Sequence, residues 1–255
     1  MTLKEPTTRL DSNLVTTPLF KAEWGSRAYG TNTAASDRDL IQVVIEDPRY
    51  ITGLDEFRPK HTSTAESGER STADDTDMVT YGMKHFTALA VEGNPQVLAT
   101  LFLKNFIERD PLFDYFQDNT DYFVSKQAGR KYLGYMTSQR KNIDGLGRGK
   151  TNRPELVHTH GWDTKFGMHA VRLGFQGLEL METGKISLPM EGVALKTCQE
   201  IRQGKWGLKD GLALMDDLMR DLEAAVAAST LPDKGNREAV SELLHIIYKK
   251  DWKSA

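Results

Sequence analysis

The sequence predicts an α+β chain, with a small mixed β-sheet flanked by helices and a helical C-terminal half after it. Three observations point there. Leu19-Phe20-Lys21-Ala22-Glu23-Trp24 alternates apolar with charged residues, and Leu40-Ile41-Gln42-Val43-Val44-Ile45 is β-branched and mostly apolar, so both read as strands. Asp77-Met78-Val79-Thr80-Tyr81 has strand character too. Beyond Pro111 the apolar residues recur at helical spacing instead.

The elements follow in chain order. Asp47-Pro48 ends the second strand, and Asp55 to Thr76 is a long polar loop rich in Ser, Thr, Glu, Lys and Asp. After the third strand, Met83, Phe86, Leu89 and Ala90 fall at helical spacing. Asn94-Pro95 supplies a cap and a first-turn proline for a packing helix whose stripe runs through Val97, Leu98, Leu101 and Phe102 toward Phe106. Arg109-Asp110-Pro111 marks a boundary, dividing a core of residues 1–110 from a helical region of 111–255 that completes a cleft. Phe113, Tyr115, Phe116, Tyr122, Phe123, Tyr132 and Tyr135 then form an aromatic stripe that reads as core, although Arg130, Lys131, Arg140 and Lys141 are interleaved with it. Gly145 to Pro154 combines glycines with basic residues but lacks the G-x-x-x-x-G-K-[ST] spacing, so it reads as a surface linker or a basic loop touching substrate phosphates. A helix starts at Asp163 or Thr164, either of which can cap it. Pro189 and Gly192 make a turn, and further helices span Lys196 to Gln203, Leu208 to Leu222 and Val240 to Tyr248.

Chemistry concentrates between the first two strands, in Gly25-Ser26-Arg27-Ala28-Tyr29-Gly30-Thr31-Asn32-Thr33-Ala34-Ala35-Ser36-Asp37-Arg38-Asp39. Side chains on a strand alternate faces, so Asp37 and Asp39 point one way and Arg38 the other. Paired carboxylates on one face repel unless a cation sits between them, and a Gly-Ser bend beside them can cradle a phosphate. A third acid at the start of the next strand completes the ligand set that two-metal phosphoryl transfer requires; Asp77 is the choice, with Asp74 and Asp75 as alternatives.

Gly25-Ser26, a short loop, then Asp37-Arg38-Asp39 resembles the signature of the nucleotidyltransferase superfamily, whose best-known fold is that of DNA polymerase β. Glu92-Gly93-Asn94-Pro95-Gln96-Val97-Leu98 and Trp162-Asp163-Thr164-Lys165-Phe166-Gly167-Met168-His169-Ala170-Val171-Arg172-Leu173 resemble segments of the RNA repair pathway DNA polymerase β family. The likeness covers most of residues 18 to 225, although Val97 to Leu101 lacks the glutamate that family often carries there. The resemblance implies a metal-dependent transferase that moves a nucleoside monophosphate from a nucleoside triphosphate to an acceptor hydroxyl and releases pyrophosphate. It implies Mg²⁺, with Mn²⁺ as a substitute, held by Asp37, Asp39 and Asp77, and phosphates resting on Gly25, Ser26 and Arg27. The implied acceptor is RNA (a tRNA or a broken end), a protein or a small molecule. A catalytically silent nucleotide- or RNA-binding module using the same pocket is the alternative.

Lys165, His169 and Arg172 fall at i, i+4 and i+7 and share one helix face, with Phe166, Ala170, Leu173 and Gly177 on another. Spacing alone describes a solvated face, but the family's lysine-histidine helix assigns the stripe to triphosphate and pyrophosphate binding. His158 and His160 have no third ligand near them in sequence and receive no role.

Composition narrows the setting. The 255 residues suffice for one large domain or two small ones, and 39% hydrophobic content can build a core. A formal net charge of -3 argues against a strongly basic nucleic-acid coat. The single cysteine, Cys198, permits no internal disulfide and fits a reducing compartment. Met1 to Ser12 has no signal-peptide apolar run and no stretch is long enough to span a membrane, so a cytoplasmic protein without a membrane partner is expected.

Overall fold

The computed structural model describes residues 16–65, 72–143 and 153–254. The polar N-terminus, the centre of the polar loop and the glycine-rich basic segment up to Asn152 lie outside the described residues. Five strands, β1 (Thr17–Glu23), β2 (Arg38–Ile45), β3 (Lys60–Ser63), β4 (Thr76–Gly82) and β5 (Glu108–Arg109), form a sheet in the order β3-β4-β2-β1-β5. β1 runs antiparallel to β2 and β5, β3 antiparallel to β4, and β2 parallel to β4. The sheet is mixed, as the sequence predicts. Leu40, Ile41, Val43, Val44 and Ile45 are all buried, so central β2 is covered on both faces and reads as an almost unbroken apolar run.

The helices are α1 (Gly25–Tyr29), α2 (Pro48–Thr52), α3 (Met83–Val91), α4 (Pro95–Ala99), α5 (Asp114–Gln117), α6 (Lys126–Ile143), α7 (Pro154–His160), α8 (Thr164–Thr183), α9 (Gly192–Arg202), α10 (Leu208–Ala228) and α11 (Arg237–Ser254). Contacts group the chain into two compact units. The first takes the described residues of Met1–Val91, Leu103–Tyr122 and Asn236–Ala255; the second takes Glu92–Phe102 and the described residues of Phe123–Gly235.

In the first unit Phe20 anchors the core, its ring packing on Phe113 at 4.5 Å and on Phe86 and Phe106 at 5.7 Å. This cluster explains why the stripe beginning at Pro95 does not continue as one helix to Phe106. The chain leaves its 3-10 turn at Phe102, passes the exposed Lys104 and Asn105, and returns Phe106 to the Phe20 cluster. α11 is fastened to the end of β2. The Tyr248 hydroxyl donates to Glu46 Oε2 at 2.6 Å, Trp252 Nε1 donates to the Glu46 carbonyl at 3.1 Å, and the Lys84 amide donates to Glu46 Oε1 at 3.1 Å.

Burial raises the pKa of Glu46 above its ordinary value near 4.5, against the lowering effect of the Tyr248 hydrogen bond. The phenol of Tyr248 is pushed up as well, first by burial and then by the Glu46 charge, so it remains the donor. A carboxyl with a raised native pKa contributes its full stability below its unfolded pKa and loses it as pH rises through the native one. The stability of wild type relative to Glu46→Gln, read by urea unfolding, should therefore fall as pH climbs from about 4.5, because the amide still accepts from Tyr248 but does not titrate. Identical slopes in the two proteins would refute it.

The second unit is helical. Asn94 caps α4 by accepting from the amides of Gln96 and Val97. α8 packs against α6, α9 and α10, and small residues on it permit the approach: a Cβ at Gly177 would lie 2.8 Å from a Leu222 methyl. Phe113, Phe116, Phe123 and Tyr132 are fully buried, each within its own unit, while Tyr135 is exposed. The aromatic stripe is mainly core.

Candidate metal centre

The site in the first unit grows from the crossing of β1 into α1. The Trp24 amide donates to the Asp39 carbonyl at 2.8 Å, which pins the start of α1 beside β2. Gly25 has φ +58°, and a Cβ on it would lie 2.0 Å from Asp39 Oδ2. Glycine is thus required twice, by the backbone conformation and by the carboxylate lying against it. The Gly-Ser bend is the first turn of a short helix rather than a simple turn, closed by Gly30 at φ 76° and by the Thr31 amide donating to the Ser26 carbonyl at 2.9 Å. Ser26 Oγ and Arg27 Nε are buried with no hydrogen-bond partner among the described residues.

Asp37 precedes β2 and Asp39 lies within it. Arg38 turns to the other side, donating from Nε to Glu23 Oε1 at 3.1 Å, as strand alternation requires. Parallel pairing sets Asp39 directly beside Asp77 on β4. One carboxylate oxygen from each of Asp37, Asp39 and Asp77 lies within 4.8 Å of the others, and all three side chains are half-buried. Among the described residues this is the one cluster of three or more His, Cys, Asp or Glu groups close enough to share an ion, and His158 and His160 belong to no such cluster. Asp75 is occupied elsewhere. The amide and hydroxyl of Thr72 and the hydroxyl of Thr64 donate to its carboxylate, which holds its pKa below the ordinary value, the Thr72 amide contributing most. Three hard oxygen donors at this spacing fit a small divalent cation of the Mg²⁺ or Mn²⁺ type, and without one the carboxylates repel.

The basic helix of the second unit differs from a solvated stripe. Asp163, nearly buried, caps α8 by accepting from the amides of Lys165 and Phe166 and pairs with Arg153 at 3.0 Å. The Arg153 guanidinium also lies 4.5 Å from the Phe166 ring centre. Lys165 and His169 are half-exposed, whereas Arg172 is buried at 5% exposure and donates from Nη1 to Gln176 Oε1 at 2.6 Å. Burial, and after it the charges of Arg172, Lys165, Arg153 and Arg202, drive the His169 pKa well below its ordinary value, so its imidazole is neutral at neutral pH. Arg153, Arg202 and Gln176 escape a reading of the sequence. Gln176 stands at i+4 from Arg172, a signal that was available, whereas packing of α9 alone brings Arg202 into range.

A family model described as "RlaP: RNA repair pathway DNA polymerase beta family" matches residues 8–247. A protein of Enterobacteria phage T4, the "Uncharacterized 38.9 kDa protein in nrdC-mobD intergenic region", is 31% identical over 127 residues, which is 48% of this chain and 37% of that protein. The chain thus spans little more than a third of the length of that curated relative. The crystal structure of a nucleotidyltransferase-like protein from Exiguobacterium sibiricum 255-15 aligns at 11% identity and a TM-score of 0.29, covering 91% of this chain and 69% of that one.

Proposed function

Since this chain belongs to the RNA repair pathway DNA polymerase beta family, we propose that it is a metal-dependent nucleotidyltransferase. It transfers a nucleoside monophosphate from a nucleoside triphosphate to an acceptor hydroxyl. The observation that carries this reading is the acid cluster, with three carboxylate oxygens within 4.8 Å of one another beside a glycine that leaves room for them.

Asp37, Asp39 and Asp77 would hold Mg²⁺, or Mn²⁺ in its place. When bound, such ions neutralise the phosphate oxygens and make the acceptor hydroxyl more acidic. The backbone amides of Gly25 and Ser26 and the guanidinium of Arg27 are assigned to the triphosphate. The acceptor oxygen forms a bond to the α-phosphorus as the bond from that phosphorus to the leaving pyrophosphate breaks, and the acceptor proton passes to a carboxylate oxygen such as that of Asp77. By the family resemblance Lys165 and Arg172 on α8 are assigned to phosphate charge and His169 to a neutral hydrogen bond. Residues 1–110 then serve as the catalytic core and 111–255 as the substrate-binding region. A cytoplasmic setting agrees with Cys198, which is buried and whose thiol burial pushes up to about 12, so that it is an inert thiol. No helix among the described residues is long and apolar enough to cross a membrane.

The test is incubation with each radiolabelled nucleoside triphosphate, Mg²⁺ and a cell extract, followed by assignment of the label to RNA, protein or small molecules. Label that appears with wild type and not with Asp39→Asn supports transfer. Nucleotide binding without any labelling points to a silent binding module. Lys165→Ala should weaken triphosphate binding roughly 3- to 10-fold, as removal of one half-exposed phosphate contact does, and calorimetric titration reads it directly. Unchanged affinity would remove α8 from the site.

A further inference from the structure

The three cationic or proton-bearing residues on one face of α8 do not stand at one depth. Lys165 and His169 are partly exposed, whereas Arg172 is 5% exposed and its Nη1 donates to Gln176 Oε1, on a side chain only 1% exposed. The stripe therefore runs from solvent into the core. An anion arriving from solvent meets Lys165 and His169, and Arg172 lies beneath them. A second exposed cation comes from α9 instead. Cys198 and Arg202 stand four residues apart on α9 and share a face. Burial governs the Cys198 thiol and the Arg172 charge acts on it next, so this face is turned to α8. The chain beyond α9 is tied to the start of α8: Trp162 Nε1 donates to the Trp206 carbonyl at 3.2 Å, and Gly204 lies against the His160 ring, where a Cβ would collide. Arg202, partly exposed, is thereby held at the Lys165 end of the stripe. All of these residues belong to the second unit.

We infer that Arg202 is the guanidinium that meets the phosphate groups, beside Lys165 and His169, while Arg172 supplies charge from beneath without touching them. The inference rests on the transferase reading above and adds to its triphosphate site a binding residue from a second helix. The chemistry suits the division. An arginine at the surface grips a phosphate through two parallel N–H donors, and a lysine beside it adds a point charge. After burial, the charges that act on His169 are all cationic, those of Arg172, Lys165, Arg153 and Arg202, so its ring keeps one N–H to donate and adds no charge of its own. Arg153 is committed elsewhere, to the Asp163 carboxylate and the face of the Phe166 ring. Arg172 is committed to Gln176, which fixes its charge under the site.

The experiment titrates inorganic pyrophosphate onto the full chain without metal, which reads α8 and α9 apart from the acid cluster, and the magnesium complex of ATP in parallel. Arg202→Gln should weaken both ligands roughly 3- to 10-fold with the far-ultraviolet dichroism unchanged. Arg202→Lys should recover part of the loss, since the charge returns without the paired donors. Phenylglyoxal, which modifies accessible guanidinium groups, should label Arg202 in the free wild type and less when pyrophosphate is present, with Arg172 unlabelled in both, as peptide mass mapping reads. Equal affinities of wild type and folded Arg202→Gln overturn the assignment and leave the transferase reading standing. So does Arg202 labelling that pyrophosphate leaves unchanged, or Arg172 labelling that it suppresses. A wild type that binds neither pyrophosphate nor the magnesium complex of ATP overturns the transferase reading and the assignment with it.

Discussion

Asp39→Asn will lose roughly 10³-fold or more of metal-dependent transfer while remaining as thermally stable as wild type, or more so. The two halves of this expectation have one cause. Asp39 faces Asp77 across the parallel pairing of β2 and β4, and with Asp37 their oxygens crowd within 4.8 Å. Unit charges about 5 Å apart repel by about 1 kcal/mol in water and by more where protein lowers the effective dielectric. An ion held among the three oxygens would offset this repulsion. An isosteric amide removes the repulsion and with it the grip on the ion. A label-transfer assay and thermal melts with and without Mg²⁺ read both consequences. Wild type should gain stability on adding Mg²⁺, and Asp39→Asn should gain much less. Full activity in the variant, or a melt far below that of wild type, would mean that the cluster is an ordinary structural feature.

Gly25→Ala should be damaging for geometric reasons alone. At φ +58° an alanine costs about 1–2 kcal/mol relative to glycine. Its methyl would also occupy the place of Asp39 Oδ2, at a separation of 2.0 Å that no contact tolerates. Either α1 lifts from β2, breaking the bond between the Trp24 amide and the Asp39 carbonyl, or the carboxylate swings off the cluster. Both routes lower ion affinity, so isothermal titration with Mn²⁺ should show a loss of about tenfold or more, alongside a lower melting temperature. Retained affinity in a folded variant would show that Asp39 does not need its place against Gly25.

The family could be recognised because its signature is local. Gly25-Ser26 marks a backbone bend that favours glycine, and Asp37-Arg38-Asp39 follows the period of two of a strand, and neither needs knowledge of the rest of the chain. The third acid was harder. Asp74, Asp75 and Asp77 were near-equivalent as letters, and the choice rests on register. Pairing of β4 with β2 sets Asp77 beside Asp39, while the Thr64 and Thr72 hydroxyls claim Asp75. The basic helix shows the opposite case. Its spacing placed the three on one face, yet packing buried Arg172 and left Lys165 and His169 only partly exposed, and desolvation of the His169 ring, with the surrounding cations after it, keeps His169 neutral. Helix periodicity cannot report such things, because it describes directions about one axis and not what lies beyond it.

From its amino acids alone this protein was determined to be a mixed-sheet α+β chain carrying a Gly-Ser bend and an Asp-x-Asp pair, since propensity, period and short spacing act between neighbours. Only the tertiary structure decided which distant acid joins that pair, and that a C-terminal helix is fastened by Tyr248 and Trp252 to the end of β2. It alone set the chain's contacts into two interleaved units. These follow from which strand pairs with which and from burial on folding, and both depend on contacts between residues far apart in sequence.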